Sequence, residues 1–219
     1  KGLITFTDKK RYLWLISVLM PAFALTGVAI FYQTGMEWTL GIPLAISYLI
    51  MPLLDYLIGS DENNPPEELV PQLDADKYYR ILTMLTVPFH FVVLGVLAFV
   101  VGTNDLSPWS VLAVAIIAGG YSGLGINTAH ELGHKQTAIE QLLAKITLAV
   151  PAYGHFCVEH NRGHHVLVAT PDDPASSRFG ESIYAFTLRE IPSTFVRGWN
   201  LEKTRLNKQG KPTWSVHNN

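Results

Sequence analysis

Four long apolar stretches constrain the fold of this chain more than any other feature of its sequence. They cover residues 12–32, 38–58, 81–101 and 109–127, and their only Asp, Glu, Lys or Arg is Asp55. About 20 consecutive apolar residues cross the hydrocarbon core of a bilayer as a helix, and soluble core helices are rarely this long and uniform. The sequence therefore predicts an all-α fold, a polytopic transmembrane helix bundle with four spans.

Composition narrows the function classes that such a chain can serve. Charged residues make up only 16% of the chain, against about 25% in soluble domains, and the net charge of −2 argues against a nucleic-acid partner. Cys157 is the single cysteine, which excludes an internal disulfide and a Cys-x-x-Cys metal site. Any metal ion is therefore expected to be held by His, Asp or Glu.

The positions of the basic residues predict the orientation of the spans. All 16 Lys and Arg residues lie before the first span, in the 59–80 loop, or after His134, and none lies in the other two inter-span loops. The positive-inside rule places the basic segments in the cytoplasm. We expect residues 1–129 to form the transmembrane helices with a cytoplasmic loop at 59–80. Residues 130–219 are expected to form a partial cytoplasmic catalytic region.

Two groups of histidines, called the histidine boxes below, follow the last apolar stretch. Within 36 residues they supply His130 and His134, then His160, His164 and His165. A spacing of four places two side chains on one helix face, as two ligands of one ion require. His165 is turned by about 100° from His164, which suits a second ion, or the same ion after a local break at Gly163. Since imidazole binds divalent iron, zinc and copper, the boxes indicate a nitrogen-rich site for two metal ions.

Other polar residues near the boxes allow more than one assignment. Glu131 and Glu159 adjoin the histidines, and we expect them to accept hydrogen bonds from ligand rings; direct ligation and solvent exposure are the alternatives. The isolated His90 and His155 are expected to be structural, with His90 hydrogen-bonded across the bundle or lining a cavity. The pair at 172–173 is assigned to a turn, and the apolar segment 142–158 to a re-entrant or interfacial helix.

Two other functions compete for the same residues. His130-Glu131-x-x-His134 alone is typical of a zinc protease, with two ligands and a glutamate base, but such a site has no use for three further histidines. A metal transporter is expected to carry ionisable side chains along its spans, whereas these spans are nearly free of charge.

Longer motifs resemble those of a known family. The chain is similar to the N-terminal part of the integral-membrane alkane 1-monooxygenases, which are relatives of the membrane fatty acid desaturases and hydroxylases. The resemblance rests on NTAHELGHK at 127–135, EHNRGHH at 159–165, NNPPEE at 63–68, ATPDDPASSR at 169–178 and GESIY at 180–184.

The resemblance implies a function and its cofactors. Two iron ions (Fe²⁺/Fe³⁺) would activate O₂ and hydroxylate the terminal carbon of a linear alkane to a 1-alkanol, with electrons from NADH through rubredoxin reductase and rubredoxin. The location implied is the bacterial inner membrane, with the boxes on its cytoplasmic side and membrane lipid around the spans. The metal ligands carried over are His130, His134, His160, His164 and His165. A membrane fatty acid desaturase or hydroxylase is the alternative.

Members of the family have six spans, a further histidine motif and a third box. The four spans and two boxes predicted here are only part of that set. The chain is therefore expected to be a fragment that holds about half of the iron ligands and is inactive alone. An alkane has no polar group, so its binding depends on apolar burial at about 0.8 kcal/mol per CH₂. Candidates to line a substrate tunnel within the bundle are Ser47, Leu54 and the 119–125 segment, and a larger side chain at Ser47 is expected to shorten the accepted alkane.

Overall fold

The computed structural model describes residues 7–60 and 65–218, and within these ranges the chain forms helices and turns without a strand. Four of the described helices are long and apolar enough to cross a membrane, which confirms the predicted all-α fold with four spans. They are α1 (Arg11–Thr34), α2 (Glu37–Ile58), α3 (Lys77–Thr103) and α4 (Pro108–Gly133).

The first span changes its helical geometry along its length. Pro21 has no N–H to donate and its ring crowds the carbonyl four residues earlier, so the chain tightens into a 3₁₀ turn around it. The segments of α1 are a 3₁₀ turn (Arg11–Trp14), an α-helix (Leu15–Leu19), a second 3₁₀ turn (Met20–Ala24) and an α-helix (Leu25–Thr34).

The second span contains a wider turn. A π-helical turn ends two residues before Pro52, where it relieves the clash between the proline ring and the preceding turn. The segments of α2 are a 3₁₀ turn (Glu37–Gly41), an α-helix (Ile42–Ala45), the π turn (Ile46–Ile50) and an α-helix (Met51–Ile58).

Helices α1 and α2 form a hairpin with a close helix–helix contact. The chain reverses at Gly35, whose φ of 70° is the left-handed conformation that glycine favours after a helix. A Cβ on Gly27 would lie 2.5 Å from the backbone oxygen of Thr39, so only glycine allows this approach. The Thr39 hydroxyl faces the carbonyl oxygens of Met36 and Gly27 at 2.7 and 3.3 Å. Small residues therefore set the spacing of the hairpin, as is usual in membrane helices.

The core of the membrane part is mainly aliphatic. Most of its buried residues belong to α1, α3 and α4, and one belongs to the start of α2. They are Ala24, Val28, Leu40, Val93, Leu97, Val100, Val114, Ile117 and Tyr121. Only 6–33% of the apolar window of each span is buried. The remaining apolar surface faces outward, which is the arrangement that hydrocarbon solvates and water does not.

The loop after α2 is shorter than predicted. Residues 63 and 64 of the 63–68 motif lie outside the described residues. The rest of that motif is not all loop, because Glu67–Leu69 form a 3₁₀ turn that continues into the helix Val70–Asp74. Asp76 then caps α3 by accepting a hydrogen bond from the Tyr78 N–H at 2.8 Å.

The chain separates into two compact units, Lys1–Thr128 and Ala129–Asn219. The second unit contains α5 (Ala138–Ala149), the box-two segment (156–167) and α6 (Ile183–Lys208). The prediction of a single helix over 142–158 is wrong, because α5 ends at Ala149 and the chain turns before the box-two segment. Pro151 and the left-handed Ala152, with φ of 56°, interrupt the apolar run because neither continues an α-helix.

Candidate metal centre

The first histidine box lies at the C-terminal end of α4 and presents two ring nitrogens to each other. His130 and His134 are one helical turn apart, and their Nε2 atoms are 3.0 Å apart. The rings meet nearly at right angles, with centroids 4.6 Å apart. Helical periodicity alone accounts for this pairing.

The second box joins the first through a change of helical geometry. The box-two segment begins as an α-helix (Phe156–Glu159), widens into a π turn (His160–His164) and ends in one short turn (His165–Leu167). In a π turn the backbone pairs residues five apart, and the N–H of His165 donates to the carbonyl of His160. His165 thereby comes over His160, with their Nε2 atoms 3.1 Å apart. A widened turn thus replaces the local break considered at Gly163.

The two boxes meet through His160 and His134, whose Nε2 atoms are 3.3 Å apart. Candidate ligand atoms of His130, His134 and His160 all lie within 4.8 Å of one another. The Nε2 atoms of His130, His134, His160 and His165 form a continuous series of contacts. Each Nε2 offers one in-plane position, occupied by either a proton or a lone pair, so four such atoms satisfy at most two hydrogen bonds among three contacts. A cation accepts all four lone pairs, so the donor set fits a metal ion better than it fits a hydrogen-bonded cluster.

Burial favours the metal-binding form of these rings. Burial, followed by the neighbouring imidazoles, lowers the pKa of His160 to about 4. The pKa of His134 is lowered by burial and then by His130 and His165. Neutral imidazole is the form that binds a metal ion, so these two rings are available as ligands at neutral pH.

His164 contacts a carboxylate in addition to the neighbouring rings. Its Nδ1 lies 2.8 Å from Oδ2 of Asp173, and its ring stacks beside His160 with centroids 5.4 Å apart. Asp173 is buried, and burial alone would raise its pKa. Hydrogen bonds from Ser176, Arg197 and His164 outweigh burial and bring the pKa of Asp173 to about 2. The carboxylate is therefore charged and acts only as an acceptor.

The two glutamates adjoining the boxes have different surroundings. Glu131 is exposed, and its Oε1 lies 3.4 Å from Nδ1 of His130, the ring nitrogen on the far side from the cluster. Glu159 is buried, and burial raises its pKa; it accepts hydrogen bonds from Nε and Nη2 of Arg197, the former at 2.8 Å. Arg197 also donates to Oδ1 of Asp173 at 2.8 Å, so both buried carboxylates share one guanidinium.

Sequence reasoning did not assign Asp173 or Arg197 to the site. The turn assigned at 172–173 exists, since the backbone N–H of Ala175 donates to Oδ1 of Asp173. The contact with His164 spans nine positions, most of them outside regular helix, and the contact with Arg197 spans 24. Neither has a periodic signal in the sequence.

The two isolated histidines each pack beside an aromatic ring. His90 is 2% exposed, and its Nε2 has no hydrogen-bond partner among the described residues. His155 packs against Tyr153 and Phe195 with ring centroids at 4.6 and 5.2 Å. Its Nε2 is also buried without a partner in the described part of the chain.

An apolar cavity of about 240 Å³ lies within the first unit. Ser47 lines it, as do Gly120 and Leu124 from the 119–125 segment. Its other walls include Met20, Leu44, Tyr48, Met51 and Ile117. Leu54 is not among the lining residues and is 48% exposed on the outside of α2. Of the two predicted tunnel residues, only Ser47 lines this cavity in the described part of the chain.

A family model described as fatty acid desaturase matches residues 107–218, which include both histidine boxes. The chain belongs to the fatty acid desaturase family. Within this desaturase family it is 50% identical to an alkane 1-monooxygenase of Ectopseudomonas oleovorans over 97% of the chain and 53% of that protein. It is 49% identical, with the same coverage, to an alkane 1-monooxygenase of Pseudomonas putida and to alkane 1-monooxygenase 1 of Alcanivorax borkumensis. The resemblance to alkane monooxygenases and their desaturase relatives is confirmed, and the chain spans about half the length of these curated relatives.

Proposed function

We propose that the full protein is a membrane alkane 1-monooxygenase, which converts a linear alkane to the 1-alkanol with O₂. The convergence of imidazole nitrogens from both histidine boxes carries this proposal. The names of the relatives at about 50% identity support the substrate class.

We infer that the site holds two iron ions, with His130, His134, His160, His164 and His165 among the ligands. The donor set is imidazole without thiolate, which suits iron, and the second unit supplies no further histidine to the cluster in its described part. The remaining ligands are expected from the part of the protein that the relatives have beyond this length. When bound, the iron pair would supply the O₂ activation that places one oxygen atom in the alcohol and the other in water.

The apolar cavity beside Ser47 is our candidate for part of the substrate-binding site. Its walls offer aliphatic and aromatic side chains and carry no Asp, Glu, Lys or Arg. Such walls suit a ligand whose binding derives from burial, at about 0.8 kcal/mol per CH₂. A fatty acid would leave its carboxylate without a cationic partner there, so the lining favours an alkane over the desaturase alternative.

The electron donor and the orientation complete the proposal. Hydroxylation with O₂ consumes two electrons, which we assign to rubredoxin, itself reduced by NADH through rubredoxin reductase. We assign the protein to the bacterial inner membrane. The distribution of Lys and Arg supports a cytoplasmic position of both histidine boxes, where a soluble donor has access to them.

The zinc protease alternative is disfavoured by the position of Glu131. A general base in such a site must face water on the metal. Glu131 instead lies near Nδ1 of His130, whereas the cluster is formed by Nε2 atoms, and its side chain is directed to solvent. The geometry therefore leaves the His-Glu-x-x-His motif without its catalytic glutamate.

The decisive experiment uses the full-length protein in lipid nanodiscs with rubredoxin, its reductase and NADH. We expect about two iron ions per chain and formation of 1-octanol from octane. Substitution of His160 by Ala should abolish both, and the exposed His217→Ala should change neither. Zinc in place of iron, an alkene product, or an active His160→Ala protein would contradict the proposal.

A further inference from the structure

We propose that Asp173 is a positioning residue for His164, holding its ring with Nε2 free to bind metal, an inference that rests on the proposed function. The contact that leads to it joins Nδ1 of His164 to Oδ2 of Asp173 at 2.8 Å. A carboxylate only accepts hydrogen bonds, so Nδ1 carries the ring proton. The lone pair of His164 is then on Nε2, the nitrogen that the other boxed histidines direct into the cluster.

Asp173 is itself held rigidly. Its Oδ2 also accepts from the Ser176 hydroxyl at 2.6 Å, and its Oδ1 accepts from the Ala175 N–H at 3.1 Å and from Arg197 at 2.8 Å. The residue is 2% exposed. Four donors around one buried carboxylate leave it a single orientation, so it can fix the plane of the His164 ring.

The loop that carries Asp173 folds back onto the second box. After the box-two segment the chain passes through the left-handed Ala169, with φ of 63°. The N–H of Ala169 donates to the Ser176 hydroxyl at 3.0 Å, and the Thr170 N–H donates to the carbonyl of Leu167. These contacts return the carboxylate to the ring of His164 nine positions earlier.

Arg197 ties this loop to the start of the same box. Its guanidinium donates to Asp173 through Nη2 and to Glu159, the residue before His160, through Nε and Nη2. A Cβ on Gly163 would lie 2.8 Å from Nε of Arg197, so the glycine inside the box provides the space for this side chain. The network thus connects both ends of the π turn that aligns His160 with His165.

His164 differs from the other boxed histidines in the partner of its second ring nitrogen. Among the five rings in the described part of the chain, it alone has a buried carboxylate on its second nitrogen. The one comparable contact, Glu131 with His130, is longer at 3.4 Å and exposed. A carboxylate that orients a ligand histidine typically contributes 10- to 100-fold to metal affinity.

The test measures iron retention by the full-length protein in nanodiscs against increasing concentrations of an Fe(II)-specific chelator. We expect Asp173→Asn to lower the apparent iron affinity 10- to 100-fold and to change the Mössbauer spectrum of the iron that remains. Asp173→Glu keeps the charge but moves the carboxylate by one methylene, and we expect the same direction of effect. If the Asn variant does not fold, the Glu variant decides the question by the same criteria.

Asp76→Asn is the matched control, because Asp76 also accepts hydrogen bonds from an arginine side chain and from a backbone N–H, those of Arg11 and Tyr78, at the start of α3. It should retain iron as the unsubstituted protein does, with an unchanged spectrum. Equal loss of iron in the Asp173 and Asp76 variants would overturn the proposal in favour of general destabilisation, and so would unchanged retention and spectrum in the Asp173 variants. An unsubstituted protein without iron would refute the proposed function itself, which separates that failure from this one.

Discussion

The role of each side chain near the candidate centre depends on which of its atoms faces a given neighbour. His130 and His134 present Nε2 to the cluster, and His164 presents Nδ1 to Asp173. The apolar cavity gives a second example, because Ser47 and Leu54 both belong to α2 but only Ser47 lines the cavity. The same substitution made at both positions therefore tests whether the position of the side chain matters.

Ser47→Trp is expected to shorten the longest alkane that the full-length protein hydroxylates, because the indole would fill much of a cavity of about 240 Å³. Leu54→Trp adds the same side chain on the exposed face of α2 and should leave the chain-length limit unchanged. Gas chromatography of the alcohols formed from a series of alkanes measures both limits. An identical limit in the unsubstituted and Ser47→Trp proteins would remove Ser47 from the substrate site.

At the scale of whole elements, close approach between two segments depends on a glycine at the point of contact. Gly27 allows α1 to contact α2 at Thr39, and Gly163 leaves room for Arg197 beside the second box. Other glycines, such as Gly119 and Gly154, have no neighbouring atom within 4 Å of an added Cβ. The structure thus divides the glycines into those that permit a contact and those that do not.

Gly27→Ala should destabilise the protein by about 1–3 kcal/mol, the usual cost of overpacking a close contact. The added methyl would meet a backbone oxygen at 2.5 Å, which cannot move away as a flexible side chain can. Gly119→Ala is the control and should leave stability unchanged or raise it. Unfolding by steric trapping in bicelles gives both values, and equal stabilities for the two variants would contradict this contact.

Gly163→Ala should weaken iron retention by displacing Arg197 from Glu159 and Asp173. The added Cβ would lie 2.8 Å from Nε of Arg197. Gly154→Ala, with open space around it, should retain iron normally. Chelator competition on the two full-length proteins compares them directly; if Gly163→Ala retained iron as Gly154→Ala does, the close packing of Arg197 would have no bearing on the site.

The molecule as a whole combines a lipid-facing membrane part with a unit rich in ion pairs. The spans expose most of their apolar windows. In the second unit, by contrast, three arginines of α6 each pair with a carboxylate: Arg189 with Glu181, Arg197 with Glu159 and Asp173, and Arg205 with Glu202. Such a division is expected where one part lies in hydrocarbon and the other in water.

The orientation of the spans is testable with cysteines in a Cys157→Ser background. We expect Asp105→Cys, in the loop between α3 and α4, to react with a membrane-impermeant maleimide added outside spheroplasts. Ser60→Cys, after α2, should react only once the membrane is permeabilised, because basic segments remain in the cytoplasm. The reverse pattern of labelling would invert the proposed topology and place both histidine boxes outside the cytoplasm.

Much of this protein follows from local patterns in its sequence. The four spans follow from the lengths of its apolar stretches, because a bilayer of fixed thickness requires helices of about 20 residues. The pairing of His130 with His134 follows from helical periodicity. Both are local properties, and the structure gives each the form that the pattern predicts.

Tertiary structure decided what periodicity could not. Periodicity fixes the face of its own helix on which a residue lies, but not the element that this face meets. The π turn that brings His165 onto His160, and the carboxylate of Asp173 on His164, each depend on backbone or side-chain contacts beyond a regular helix. Ser47 lines a cavity while Leu54 is 48% exposed. Periodicity alone would not predict this difference, because seven residues are about two full turns of a regular helix.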